Sequence, residues 1–169
     1  MRRRLILASV VALALAAPAA AQAQKVTFAV MSYVTLQQLK DTPPMKKTNP
    51  GDAVEYKDLL VNVKAIFGKK AGKPVAYDAG IITYEGAKKP QVIYGVATFP
   101  GIGTLTYGGP MQDVGHGNTV VKVTGGTGGF KGARGTLTLG PGTQKSLNTY
   151  RVTIPHGNVS INGSGGGVA

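Results

Sequence analysis

Val123-Thr124-Gly125-Gly126-Thr127-Gly128-Gly129-Phe130-Lys131-Gly132-Ala133-Arg134-Gly135-Thr136-Leu137-Thr138-Leu139 is the stretch that decides the architecture. Its glycines invite a phosphate-cradle reading, and the spacing refuses it. A nucleotide-binding Gly-Lys-Ser/Thr ending is missing, because Lys131 follows Phe130 and precedes Gly132. A dinucleotide fingerprint would need Gly where Lys131 stands and a helix after it. In place of a helix comes Thr136-Leu137-Thr138-Leu139, which alternates polar and apolar as a strand does. The stretch therefore reads as strand, tight bend, strand, with glycine supplying positive φ and close backbone approach.

The same grammar runs outward through the chain. The 169 residues hold 25 Gly and 10 Pro, and these punctuate short runs of Val, Ile, Thr, Tyr and Phe. Strands are predicted at 25–36, 53–65, 74–85, 91–99, 102–108, 118–124, 134–140 and 148–155. Eight strands on short connections make an all-β domain, a sandwich or a closed barrel. The one stretch compatible with a turn of helix is 36–41. In the second strand Val54, Tyr56 and Leu60 share a face, while Glu55 and Lys57 point to solvent. Asp58 falls on the apolar face, where a carboxylate is costly without a partner. It is either a structural hydrogen-bonding group or a polar handle in a pocket.

The ends of the chain read differently. Arg2-Arg3-Arg4, the apolar run Leu5–Ala17 and the small-residue site Ala21-Gln22-Ala23 form a signal peptide over 1–23. Export to the periplasm or the medium is the resulting expectation. One domain then occupies 24–160, and 161–169 is a Gly-rich flexible tail. Residues 40–51, with three prolines, form a long loop of the kind that serves as a lid or a surface excursion. The chain has no Cys, which excludes disulfides, thiolate metal sites and a cysteine nucleophile.

The formal charge is +12, and Arg2–Arg4 account for part of it, leaving the mature chain at about +9. Lys46-Lys47, Lys69-Lys70 with Lys73, and Lys88-Lys89 fall in predicted loops without interleaved aromatics. That pattern argues against a nucleic-acid partner. It fits solvated loop ends, or attraction to an anionic envelope surface.

With those residues in place, Gly-Gly-Thr-Gly-x-Phe-x-x-Ala-Arg-Gly over 125–135 resembles the signature of dirigent proteins and of plant allene oxide cyclases. Asn49-Pro50-Gly51-Asp52, the Gly68/Gly72 pair and the run from Tyr94 to Pro110 are similar to further family segments. The resemblance covers roughly 49–155. It implies an eight-stranded antiparallel β-barrel around an apolar cavity, and a homotrimer or homodimer. It also implies polar site positions, and here they are altered. Phe28 stands where the cyclases carry a glutamate, Asp58 at their asparagine, Met111 at their tyrosine and Pro74 at a cavity cysteine. Gly129 replaces an acid found in some dirigent proteins. Arg134 matches, and an ion pair with an acid such as Asp52 is its expected role.

Other constellations are thin. His116 and His156 lack metal-motif spacing, and Ser32, Ser146 and Ser160 lie in no nucleophile elbow. No metal or cofactor is expected. Asp58 is the one clear acid–base candidate, the remaining acids reading mostly as loop, strand-end or outward positions. The expectation is a barrel holding a small apolar or aromatic molecule, with Phe28, Val30, Tyr56, Ile93 and Met111 lining it and Asp58 as anchor. Two rivals stand beside it. One is an isomerase or cyclase that steers ring closure. The other is a structural or envelope-interaction protein with a filled interior.

Overall fold

Alternating burial runs along nearly every strand, and it sorts the chain into a wall with an inside and an outside. In a computed structural model, the described residues are 22–43, 48–86, 89–111, 117–157 and 159–161. The expected signal peptide up to residue 21, His116, Lys46, Lys47, Lys88 and the tail from 162 lie outside them. The strands are β1 (Gln24–Lys40), β2 (Ala53–Asn62), β3 (Pro74–Thr83) and β4 (Gln91–Phe99), followed by β5 (Gly103–Met111), β6 (Thr119–Gly126), β7 (Arg134–Leu139) and β8 (Lys145–Ile154). Each pairs antiparallel with its neighbours in sequence, and β1 pairs with β8 to close the barrel. Closure leaves no sheet edge exposed.

β1 is longer than the sequence indicates. Residues 36–40 are strand, paired from Leu36↔Lys57 to Lys40↔Ala53 after a bulge between Val34 and Leu36. Pairing with β2 therefore overrides the local helical option. The glycine stretch gives β6, a single 3-10 turn at Gly128–Phe130, and β7. Gly128 has φ of 57°, and a Cβ there would run into the carbonyl of Ile102. That turn swings Phe130 into the barrel, where it is fully buried.

The two ends of the barrel differ. At one end the hairpin turns carry Phe67 and Phe130 inward against Phe28, Phe99 and Tyr150. Phe28 stacks on Tyr150 with centroids 4.8 Å apart, and Phe67 meets Phe28 edge-on at 5.1 Å. Phe99 and Phe130 lie 5.2 Å apart. Each buried ring contributes about 2–3 kcal/mol of transfer free energy, so this plug is a main stabilising feature. Phe67 holds its place at φ of 52°, the left-handed region that bulky side chains avoid. The opposite end, under the β1–β2, β5–β6 and β7–β8 connections, is hollow.

The loop after β1 is tied back on itself. The Asp52 carboxylate accepts from the Thr42 amide at 2.8 Å, the Thr42 hydroxyl at 2.5 Å and the Asn49 amide at 2.6 Å. These bonds hold its carboxyl below the usual range, the Asn49 amide foremost. Arg134 is not its partner. That side chain is exposed and donates to the Ala133 carbonyl, so the expected Arg134–Asp52 ion pair is absent.

Candidate functional site

The hollow end holds a half-open cavity of about 150 Å³. Tyr56, Asp58, Ile93 and Met111 line it, together with Asp78, Tyr107, Asn148 and other groups. Phe28 and Val30, read from the sequence as lining, lie in the packed half, at 4% and 0% exposure. Their inward direction matches the strand pattern, but the aromatic plug fills the space beside them.

Asp78 is the residue that sequence reasoning missed. It lies on β3, 2% exposed, and is the direct cross-strand partner of Asp58 on β2. Directly opposed side chains on one face have Cβ atoms about 5 Å apart. The two carboxylates thus share one compartment. No Lys, Arg or His lines the cavity among the described residues.

Their hydrogen bonds differ. Asp58 accepts from the Ser32 hydroxyl at 2.6 Å through Oδ2. Asp78 accepts from the Tyr107 hydroxyl at 2.6 Å, also through Oδ2. Tyr107 has a single proton, so when it donates to Asp78 the Tyr56 hydroxyl, 2.6 Å from it, is the donor of the next bond. A short chain runs Tyr56, Tyr107, Asp78. The Oδ1 atoms of Asp58 and Asp78 are buried and have no partner.

Two glycines make that chain sterically feasible. Tyr56, Gly80, Gly95 and Tyr107 form one row across β2, β3, β4 and β5. A Cβ at Gly95 would lie 2.5 Å from both phenol oxygens, and one at Gly80 would strike the Tyr56 ring and hydroxyl. The tyrosines reach towards each other over this bare strip of backbone.

Burial dominates the electrostatics. Desolvation pushes the Asp78 carboxyl up to about 7, opposed by the Tyr107 bond and reinforced by the charge of Asp58. The Asp58 carboxyl is also raised by burial, with the Ser32 bond pulling the other way. Asp58 is less enclosed and ionises first, and its charge then holds the proton on Asp78. Tyr56 and Tyr107 are raised far above the usual phenol range by burial and then by Asp78, so both stay protonated donors. Near neutral pH Asp78 is therefore able to give or take a proton, with a more readily ionised carboxylate beside it.

A second cleft of about 300 Å³ lies beside the cavity and shares Ile82 with it. It is bordered by Asp41, Thr48 and Asp52 of the tied loop.

No family model matches this chain, and no curated protein does. Solved structures do. A pyocyanin demethylase superposes with a TM-score of 0.60 at 19% identity, over 75% of this chain and 99% of that one. A pterocarpan synthase dirigent protein gives 0.57 at 16% identity, over 78% and 84%. An exo-specific intermolecular Diels-Alderase gives 0.57 at 13% identity, over 78% and 98%. At these identities the likeness is one of fold. The chain has the eight-stranded barrel shared by dirigent proteins and Diels-Alderase cyclases.

Proposed function

We propose that this dirigent- and cyclase-type barrel takes up a small apolar or aromatic molecule at its open end, with a ring against Ile93 and Met111. A hydrogen-bond donor or positive charge on that molecule would face Asp58 and Asp78. One observation carries the reading: two unpartnered carboxylate oxygens are buried in a cavity that no basic side chain lines among the described residues. A purely hydrocarbon ligand would leave both desolvated and unpaired, a cost of several kcal/mol if either is ionised. A donor group relieves it. About 150 Å³ is room for one benzene-sized ring, so the rest of a larger ligand would project through the mouth.

The Asp58–Asp78 pair favours a second reading on top of the first, an isomerase or cyclase. An acid poised near neutrality beside an ionised carboxylate is a set for moving a proton between two positions of a bound ring system. Enclosure of a reactive substrate would supply the orientation.

Binding of size-matched one-ring probes tests both the pocket and its polarity. Benzylamine and phenol should occupy the protein at least tenfold more tightly than toluene, by ligand-observed NMR or native mass spectrometry. Asp58→Asn with Asp78→Asn should remove the preference for benzylamine and leave toluene unchanged. Met111→Trp should block all three. Equal affinity for toluene, or no effect of Met111→Trp, would overturn the reading.

A further inference from the structure

The outside of the barrel is divided by charge. Of the seven acidic residues in the chain, none lies on β6, β7, β8 or the first half of β1, from Gln24 to Tyr33. Besides Lys145 at its Tyr33 end, that half of the wall carries Lys25, Lys122, Arg134 and Arg151, all exposed. No acidic partner reaches any of the four among the described residues; the ion pair found, Lys40–Glu55, is on the other half. The opposite half carries most of the exposed large apolar residues, including Leu36, Leu59, Tyr77, Tyr94 and Val96, while Tyr33, Val120 and Leu147 stand on the basic half.

The strand register sets the cations in order. Lys122, Thr136, Arg151 and Thr27 are successive cross-strand partners on β6, β7, β8 and β1. Arg134, Thr153 and Lys25 form a parallel row two residues further along. With strands about 4.8 Å apart, the two cations of each row start about 10 Å apart, and the rows are about 7 Å apart. Threonines fill the places between them. Lys25, Thr27, Arg151 and Thr153 border a shallow depression on this surface.

We propose that this face binds an acidic polysaccharide chain. The cations are spaced along a convex, extended surface, as a linear polyanion requires, and the threonine hydroxyls between them suit sugar hydroxyls and anionic oxygens. Neither cation row carries an aromatic ring on which a nucleic-acid base would stack, and Tyr33, the exposed ring on these strands, lies six residues along β1 from Thr27. The two rows hold only Lys, Arg and Thr, with Val120, Leu147 and Tyr33 on the same strands but outside the rows, whereas a membrane-inserting surface gathers its apolar residues into one stripe beside the cations. The proposal is independent of the interior cavity, which opens at the end of the barrel and not through this wall.

The test measures binding of the whole mature protein to polygalacturonate and to dextran sulfate, with phosphatidylglycerol vesicles and duplex DNA in parallel. Both polysaccharides should bind, less tightly as salt rises. The variant Lys25→Gln/Lys122→Gln/Arg134→Gln/Arg151→Gln should weaken them about 30-fold, as expected for four exposed ion pairs. The variant Lys64→Gln/Lys69→Gln/Lys70→Gln/Lys73→Gln removes the same charge from the β2–β3 connection and should weaken them less than about threefold. Thr27→Glu, a single exposed change within the row, should act in the same direction as the first variant and checks it against misfolding. Equal losses in the two quadruple variants would reduce the effect to net charge and overturn the proposal. Tighter binding to vesicles or DNA than to either polysaccharide would overturn it too.

Discussion

Asp58 and Asp78 stand directly opposite each other on adjacent strands, with both carboxyl groups inside the barrel. Two carboxylates in one compartment that no cation lines among the described residues cannot both ionise freely. The more enclosed of them, Asp78, keeps its proton to about pH 7. That single relationship gives the cavity its polarity and its capacity for proton transfer.

Stability should therefore fall as pH rises from about 4 to about 7. In the unfolded chain an aspartate releases its proton near 4, whereas folded Asp78 holds it to about 7. Between these values the folded state binds the extra proton, so its contribution is complete below the window and lost above it. Asp58, raised by the same cause, acts with the same sign. Asp78→Asn should keep the Tyr107 bond, remove much of the slope, and be a few kcal/mol more stable than wild type at pH 8, with no gain at pH 4. Urea titrations across the range check this, and parallel curves for the two proteins would contradict it.

Gly95→Ala should destabilise the fold by about 2–3 kcal/mol, because its methyl group would overlap both phenol oxygens. Tyr56→Phe removes one of those oxygens. The double variant should then be less destabilised than the sum of the singles, which a double-mutant cycle in urea measures.

At Phe67 the usual order of glycine and alanine should reverse. Both substitutions lose the ring from the aromatic plug, about 2–3 kcal/mol for this partly buried side chain. Glycine accepts the φ of 52° without strain and alanine does not. Phe67→Gly should accordingly be more stable than Phe67→Ala by about 1 kcal/mol, read as a difference in denaturation midpoint.

Tyr150→Phe should be neutral or stabilising by up to about 1 kcal/mol. The Tyr150 ring is fully buried against Phe28, and its hydroxyl has no hydrogen-bond partner. Thermal and urea unfolding of the variant report the sign directly, and a loss above about 2 kcal/mol would mean that the hydroxyl is satisfied in solution.

Strand identity, the bend at 125–135 and the inward direction of Tyr56 and Asp58 were legible in the sequence because they are local. Alternation along one strand, and turns that demand glycine, are written within a few residues of each other. The barrel itself came from the resemblance of the glycine motif, since alternation alone leaves sandwich and barrel open. Asp78 was not legible for a specific reason. In Ala76-Tyr77-Asp78-Ala79 hydrophobicity would turn Tyr77 inward, yet Tyr77 is 54% exposed and Asp78 is buried. Gly80 and Gly95 look like weak points of strands until pairing sets them beneath two tyrosines.

The amino-acid order thus determined the period-two strands, the turns, the basic excess and one inward acid. Only the tertiary structure decided which half of the interior is filled, which second acid meets the first, and how the outward cations line up. Those outcomes depend on register between strands distant in sequence and on barrel closure, and a shift of one residue in a single pairing would exchange every inside group for an outside one.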